Sequence, residues 1–193
     1  LPATAALIEP RWDFSPYALS TTAERAQNSY VLNGHKAYVP LAAEAQAMLV
    51  YAREGGATQA FIVEKGASGV TVLEREKHMG LRGLPTYEVK LEDGRVPRDA
   101  RLGGENGCNS ELLLNYSRVA LAALAVGMAR GAFDYARDYA KQRETFGRPI
   151  AQYQAIAFML AEMAIEIDAA RLMAWEAAWL LDQGKDATRA AAL

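Results

Sequence analysis

The sequence is poor in the residues that build cross-links and metal sites. It has one cysteine, Cys108, and two histidines, His35 and His78, among its 193 residues. A single cysteine excludes an internal disulfide and fits a reducing compartment. The two histidines are far apart in sequence, which argues against a histidine-rich metal site. We therefore expect no metal ligands, and we expect a cytoplasmic protein.

Charge of one sign and long hydrophobic runs are also lacking. The 21 Lys+Arg nearly balance the 23 Asp+Glu, for a net charge of −2, which argues against binding to nucleic acid or an acidic membrane surface. The longest uncharged apolar run, residues 119–129, is far shorter than the ~20 residues that a membrane span needs. We expect no nucleic-acid partner and no membrane span. With 51% apolar and 23% charged residues, the composition is that of a globular protein.

The first half of the sequence alternates short β-rich runs with turn residues. Asn33-Gly34 separates residues 30–32 from residues 35–39, and Asn-Gly at such a place is typical of a hairpin turn. The Glu-Asp-Gly at residues 92–94 likewise predicts a turn. The spacing predicts a small antiparallel β-barrel or sandwich over residues 1–104, which ends near the Gly103-Gly104 pair.

The second half of the sequence has a helical pattern. Asn109 or Ser110 can cap a first helix, which is predicted to run to about Arg143. A second helix is predicted from Pro149 to Gly184, is apolar on more than one side, and precedes a third helix. The fold class is therefore α+β, with the β-domain followed over residues 105–193 by long antiparallel helices of an incomplete up-and-down bundle.

The segment between the two long helices contains the most informative motif. Arg143 lies at the end of the first helix, Phe146 in the turn and Gln154 on the next helix. From its chemistry alone, Arg143 either satisfies the terminal carbonyls of its helix or clamps an anion, because a guanidinium binds phosphate bidentately. The helix-end role is the more common one.

Motifs along nearly the whole chain occur in an order that resembles the acyl-CoA dehydrogenase family. They lie at residues 32–36, 61–64, 79–83, 91–97, 118, 143–150 with Gln154, and 158–163. The resemblance implies the family's middle β-domain and the first two helices of its C-terminal four-helix domain. It also implies that the chain is about half of a family protein, in keeping with a sequence that begins at Leu1 and ends in an alanine-rich run.

The resemblance implies an FAD-dependent oxidoreductase of fatty acid and lipid metabolism. Family members dehydrogenate an acyl-CoA thioester at its α and β carbons, with hydride transfer to flavin N5. They assemble as dimers or tetramers, and an electron-transfer flavoprotein is the expected acceptor. The catalytic base is a glutamate that in some branches precedes the arginine of the first helix. Because Ser117 stands there, we expect the base beyond Leu193 and no activity from this chain alone.

The resemblance also implies roles for particular residues. Arg143 would hold the pyrophosphate of the neighbouring subunit's FAD, Thr145 and Phe146 would line that pocket, and Gln154 would reach the adenosine. The segments expected beside the flavin ring contribute Leu7, Ile8, Tyr38, Val39 and Pro40. The segment expected beside the CoA nucleotide contributes Asn115, Ser117 and Arg118.

Two departures from the family pattern affect the ring segments. Ile8 replaces a threonine whose hydroxyl meets the flavin, and Pro40 replaces another threonine and supplies no backbone N–H. Each lost donor would cost about 1–3 kcal/mol if nothing replaces it. An alternative function is therefore a structural or regulatory subunit of a hetero-oligomeric acyl-CoA dehydrogenase, with a degenerate flavin site of its own.

Overall fold

The computed structural model describes residues 2–80 and 82–193, so Leu81 of the 79–83 motif lies outside the described residues. The chain divides into two compact units, of which the first extends to Ser110 and the second spans Glu111–Leu193. The boundary predicted after residue 104 falls within the short 3₁₀ turn Gly104–Asn106, shortly before this division.

The first unit is built on a curled seven-stranded sheet, as far as the described residues go. Its strands are β1 Ala3–Ala6, β2 Thr22–Arg25, β3 Ser29–Pro40, β4 Ala47–Glu54, β5 Ala57–Glu64, β6 Val70–Arg75 and β7 Thr86–Pro97. The order is β1-β4-β2-β3-β7-β6, with β5 also paired to β4. Most pairings are antiparallel, while β1 and β2 each pair with β4 in parallel. The β part of the predicted α+β fold class is confirmed, and the sheet is mixed rather than wholly antiparallel.

Alternating inward-facing side chains form the core of this unit. Leu32, Val50, Phe61 and Val89 have no exposed surface, and each such burial contributes about 1.5–3 kcal/mol. The rings of Tyr30 and Phe61 pack at 4.9 Å between centroids. These four side chains come from β3, β4, β5 and β7, so one core joins the four strands.

The hairpin predicted at Asn33-Gly34 is wrong, because β3 continues through both residues. The register with β7 shifts between Leu32 and Gly34, and Asn33 Oδ1 accepts a 2.8 Å hydrogen bond from Asp93 N. A Cβ at Gly34 would lie 2.5 Å from Thr21 Oγ1. The small, permissive residues therefore serve a β-bulge and a close approach of the backbone rather than a turn.

The turn predicted at residues 92–94 is wrong for a related reason. These residues lie within β7, where Asp93 has φ 53°. On β7 two residues stand between the partners of Leu32 and Gly34, whereas on β3 only Asn33 does. A bulge with a left-handed residue uses the same amino acids as a turn does, so the local sequence did not separate the two.

The second unit confirms the predicted helices. Helix α1 spans Ser110–Gln142, a hairpin of β8 Glu144–Thr145 and β9 Arg148–Pro149 follows, and the last elements are α2 Gln154–Asp182 and α3 Thr188–Ala192. Helix α2 begins later than Pro149 because Ile150–Gln152 form a 3₁₀ turn. Most large apolar side chains of α1 and α2 are exposed, including Leu121, Leu124, Met128, Tyr135, Phe158, Ile165, Leu172, Trp175 and Trp179.

Helix α1 is the one described helix whose length and hydropathy would suffice to cross a membrane. It has 33 residues and contains an 18-residue window of mean hydropathy 1.5. The uncharged run considered in the sequence is shorter because Arg118 and Arg130 bound it. Core helices of soluble proteins meet the same criterion, so one such helix is weak evidence for a span. The absence of a membrane span therefore stays a prediction.

Candidate functional site: an exposed cationic turn and a clamped β-segment

A tight hairpin joins α1 to α2 in the second unit. Glu144 pairs with Pro149 and Thr145 with Arg148, which leaves Phe146 and Gly147 at the tip with φ of 50° and 79°. Two positive φ values are the mark of a type I′ turn. Phe146 is 98% exposed. Its left-handed backbone conformation costs about 1–2 kcal/mol in a residue that has a side chain. Strain of this kind at an exposed aromatic residue is typical of a binding site.

Contacts beneath the tip hold this hairpin in place. The Tyr153 hydroxyl donates to Thr145 O at 2.7 Å, and the Arg148 guanidinium lies 4.2 Å from the centre of the Tyr153 ring. The hydrogen bond from Arg148 lowers the pKa of Tyr153. Ile150 N donates to Arg143 O at 2.8 Å. The backbone from Arg143 to Tyr153 is thereby fixed by its own side chains.

The groups left free at this turn are those that the sequence singled out. Arg143, Phe146 and Gln154 are all exposed, and Thr145 is half-buried. Among the described residues, the Arg143 guanidinium has no hydrogen-bond or ion-pair partner. Its backbone N–H donates to Tyr139 O at 2.8 Å, while its side chain makes no hydrogen bond to a helix-end carbonyl of the described residues. The geometry therefore favours an anion clamp over helix capping.

The ring segments predicted in the first unit lie side by side. Ala37 N donates to Ile8 O at 2.9 Å, and Lys36 Nζ donates to Leu7 O at 3.1 Å. These two bonds place residues 7–8 directly against β3, next to Tyr38. Leu7 is half-buried and Ile8 is exposed.

Tyr38 stands at a bulge of β3 and presents its ring to solvent. It has φ 55°, is 52% exposed and stacks on His78 with the ring centroids 5.7 Å apart. Its N–H already donates to Glu76 Oε1 at 3.4 Å. Val39 is buried and Pro40 half-buried. This part of the first unit presents an aromatic and apolar surface with few hydrogen-bond donors.

The predicted CoA-binding residues of α1 do not share one surface. Asn115 is buried, and its Nδ2 donates to Thr188 Oγ1 of α3 at 3.2 Å. Arg118 NH1 lies 3.4 Å from Asn115 Oδ1, and Ser117 is exposed. Asn115 therefore connects α1 to α3. Arg118 is half-buried, and Ser117 is the one of these three residues that is classed as exposed.

Sequence reasoning missed a buried ion pair beneath the ring segments. Glu9 is 3% and Lys36 0% exposed, and Lys36 Nζ lies 3.1 Å from Glu9 Oε1. Burial would raise the pKa of Glu9, but hydrogen bonds from Ser20 and Thr21 and the charge of Lys36 lower it to about 2. Burial lowers the pKa of Lys36 to about 8, although the charge of Glu9 opposes it.

A sequence signal for this pair was available in the alternation of β3. Tyr30 and Leu32 face inward, and the same even-numbered series reaches Lys36. A charged residue at an inward position requires a partner, and Glu9 is that partner.

A β-domain followed by long helices, with an exposed cation and aromatic ring at the helix hairpin, defines the class of acyl-CoA dehydrogenase folds. Residues 4–94 match the family model for the acyl-CoA dehydrogenase middle domain, and residues 109–193 match the model for the acyl-CoA dehydrogenase C-terminal domain. The chain therefore belongs to the acyl-CoA dehydrogenase family.

Similar proteins agree with this assignment. The chain is 38% identical to the caffeyl-CoA reductase-Etf complex subunit CarC of Acetobacterium woodii, over 97% of this chain and 52% of that protein. It is 39% identical to the human mitochondrial short-chain specific acyl-CoA dehydrogenase, over 97% of this chain and 47% of that protein. It is similar to the solved butyryl-CoA dehydrogenase of Megasphaera elsdenii, with a TM-score of 0.85 and 33% identity over 98% of this chain and 52% of that one. The chain spans about half the length of the curated relatives it matches.

Proposed function

We propose that this chain is part of an FAD-dependent acyl-CoA dehydrogenase that dehydrogenates an acyl-CoA thioester at its α and β carbons. The observation that carries the proposal is the exposed guanidinium of Arg143, which has no hydrogen-bond or ion-pair partner in the part of the chain that the structure describes, on a hairpin held by the Tyr153 hydroxyl. Similarity to a short-chain specific acyl-CoA dehydrogenase and to a butyryl-CoA dehydrogenase supports the acyl-CoA substrate class.

In this proposal the second unit binds the nucleotide end of FAD from a neighbouring subunit. Arg143 binds the pyrophosphate, because its fork of donors matches two phosphate oxygens. Phe146 and Thr145 line the pocket, and Gln154 reaches the adenosine. When bound, FAD supplies a hydride acceptor at N5. The proposal assigns no catalytic base to this chain, because Ser117 has no carboxylate neighbour along α1 to accept its proton.

Ile8 and Tyr38 would contact the flavin ring in the first unit. Both are exposed side chains on segments joined by the bond from Ala37 N to Ile8 O. They contact the ring through apolar and aromatic surface, since neither Ile8 nor Pro40 offers the donor that the family pattern has there. Arg118 and Ser117 would contact the CoA nucleotide.

We also propose the partners and setting of the whole protein. Exposed apolar faces on α1 and α2 support assembly as a homodimer or homotetramer. An electron-transfer flavoprotein is the proposed acceptor, supported by the name of the similar protein from Acetobacterium woodii, a subunit of an Etf complex. A cytoplasmic location and a role in lipid metabolism complete the proposal.

The test is FAD retention by the Arg143→Ala variant. Loss of its charge-assisted hydrogen bonds, worth about 1.5–3 kcal/mol each, should raise the Kd for FAD at least roughly 10-fold. Lys141→Ala is the matched control, since Lys141 is an exposed cation near the end of the same helix. Thermal unfolding should be unchanged in both variants. An Arg143→Ala protein with wild-type flavin occupancy would contradict the clamp.

A second candidate is a structural or regulatory subunit with a degenerate flavin site of its own. It is favoured by Ile8 and Pro40 and by the bond that already occupies Tyr38 N. Such a subunit would still offer Arg143 to a partner's FAD, giving a hetero-oligomer with fewer flavins than subunits. The flavin content of the purified assembly distinguishes the two, because one FAD per chain in a homo-oligomer excludes this alternative.

A further inference from the structure

The buried Glu9–Lys36 pair lies where the two proposed ring segments meet. Lys36 belongs to β3 and stands two residues before Tyr38. Its ammonium donates to Leu7 O and to Glu9 Oε1, both at 3.1 Å. One fully buried side chain therefore joins β3 to the segment that carries Leu7 and Ile8.

Glu9 is anchored in turn to the chain just before β2. Its Oε1 accepts from Thr21 N at 2.8 Å and from Thr21 Oγ1 at 2.7 Å, and its Oε2 accepts from Ser20 N at 2.8 Å. Arg11 Nε lies 3.2 Å from the same Oε2. Residues 7–11 are thereby tied from one side by Lys36 and from the other by residues 20–21.

Stability alone is a weak reason for such a pair. Burying two charges has a desolvation penalty of several kcal/mol per ion, and apolar replacements of buried pairs are often neutral or stabilising. An apolar pair, however, has no directional bond to offer the Leu7 carbonyl. What the ammonium adds is a fixed distance between residues 7–8 and β3.

That fixed distance matters more here because side-chain donors are lacking. With Ile8 and Pro40 in place of two hydroxyl side chains, the backbone and the apolar surface of the two segments have to define where a ring lies. A shift of residues 7–8 away from Tyr38 would open that surface, and no side-chain hydrogen bond from positions 8 or 40 would restore it.

We propose that Lys36 is a positioning residue for the flavin ring, holding residues 7–8 against Tyr38 through the Leu7 carbonyl. Glu9 balances the charge of Lys36 and ties the same segment to Thr21. The inference rests on the proposed function for the flavin, while the clamp itself is independent of any ligand.

The experiment compares Lys36→Met, Glu9→Gln and the double variant Glu9→Gln/Lys36→Met. Lys36→Met alone removes the buried cation that contacts Glu9 Oε1 and leaves Arg11 as the neighbouring cation of this carboxylate, so it should lower the unfolding temperature most. The double variant removes both charges and should recover most of that loss. Lys90→Met is the matched control, because Lys90 is an exposed lysine on the neighbouring strand β7.

Two readouts follow the position of the segment in the protein carrying this chain. The first needs no flavin and is hydrogen exchange at the Ala37 amide, which bonds to Ile8 O. The second is the absorption spectrum and Kd of bound FAD. In the double variant we expect Ala37 exchange to rise at least tenfold, the flavin spectrum to change and the Kd to rise roughly tenfold. Lys90→Met should alter none of them.

Glu9→Gln separates a positioning role from a structural one. The amide oxygen that this substitution introduces can still accept hydrogen bonds, and Lys36 keeps Leu7 O, so this variant should lose stability but keep wild-type Ala37 exchange and the wild-type flavin spectrum. If the double variant does not fold, Glu9→Gln alone tests whether Lys36 positions residues 7–8. A folded double variant with wild-type exchange and spectrum would overturn the inference, as would a Glu9→Gln variant with the changed spectrum. Absence of FAD from the wild-type protein would overturn the proposed function, and Ala37 exchange would still report on the clamp.

Discussion

At the scale of the residue, Glu9 shows how a buried carboxylate stays ionised. Burial opposes the charged form, but two backbone N–H groups, the Thr21 hydroxyl and Lys36 together outweigh it and lower the pKa to about 2. Such a group stabilises the folded state above its ordinary pKa and loses that contribution in acid.

The first prediction concerns this acid sensitivity. The pKa of Glu9 is 4.5 in the unfolded chain and about 2 in the folded one, so its contribution is complete above pH 4.5 and disappears as the pH falls through 2. The shift corresponds to about 3 kcal/mol. Glu9→Gln should therefore flatten the fall in the free energy of unfolding between pH 5 and pH 2. Urea denaturation across this range measures it, with the exposed Glu24→Gln as control.

The control variant tests whether the loss of any carboxylate changes the pH profile. Glu24→Gln should reproduce the wild-type pH profile. A Glu9→Gln profile as steep as that of the wild type would mean that other carboxylates carry the acid transition.

At the scale of the element, the sequence predicted helices better than strands. The bounds of α1 and the break at Arg143–Pro149 follow from local signals, namely the polar pair Asn109-Ser110, an uninterrupted helical pattern and a Gly-Arg-Pro sequence. Strand β3 was misread because Asn33-Gly34 has the local sequence of a turn, whereas a distant residue, Thr21, decides its conformation. Contacts between residues far apart in sequence leave no local signal.

The second prediction tests that distant contact. Gly34→Ala places a Cβ 2.5 Å from Thr21 Oγ1 and 2.7 Å from the Thr21 backbone, and should lower the free energy of unfolding by about 3 kcal/mol. Gly55→Ala is the control, because Gly55 also has positive φ but open space at its Cβ position. It should cost only about 1 kcal/mol. Equal losses in the two variants would exclude a specific contact with Thr21.

The third prediction concerns the β8–β9 hairpin. Asparagine accepts the left-handed conformation of residue 146 more readily than phenylalanine does. Phe146→Asn should therefore leave the free energy of unfolding unchanged or raise it by up to about 1 kcal/mol, while it weakens FAD binding. Equilibrium unfolding and a fluorescence titration with FAD measure the two effects.

Phe158→Asn provides the comparison for this variant, because Phe158 is an exposed phenylalanine in the ordinary interior of α2. Phenylalanine and asparagine have similar helix propensities, so Phe158→Asn should not raise the free energy of unfolding. If Phe146→Asn binds FAD like the wild type, Phe146 does not line the pocket.

At the scale of the whole molecule, the order of the motifs predicted the family. The structure adds the exposure of the site residues and the contacts between residues that are distant in sequence. The exposed positions of Arg143, Phe146 and Gln154 agree with their predicted roles, which remain proposals. The inward position of Asn115 and the Glu9–Lys36 clamp depend on contacts with Thr188 and Leu7, which are distant in sequence. Burial and hydrogen bonds between distant segments, rather than motif identity, set these features.

The last prediction follows from the apolar faces of the helices. Leu121, Leu124 and Met128 are each more than 60% exposed on one side of α1, and such contiguous apolar surface marks an interface. Leu124→Glu places a charge within that surface and should raise the Kd for self-association at least tenfold. Gln142→Glu adds the same charge at the exposed end of the same helix and should leave the Kd unchanged. Sedimentation velocity over a concentration series measures both. If Leu124→Glu associates like the wild type, this face of α1 does not form the interface between copies, and α2 with Ile165 and Trp175 becomes the face to test.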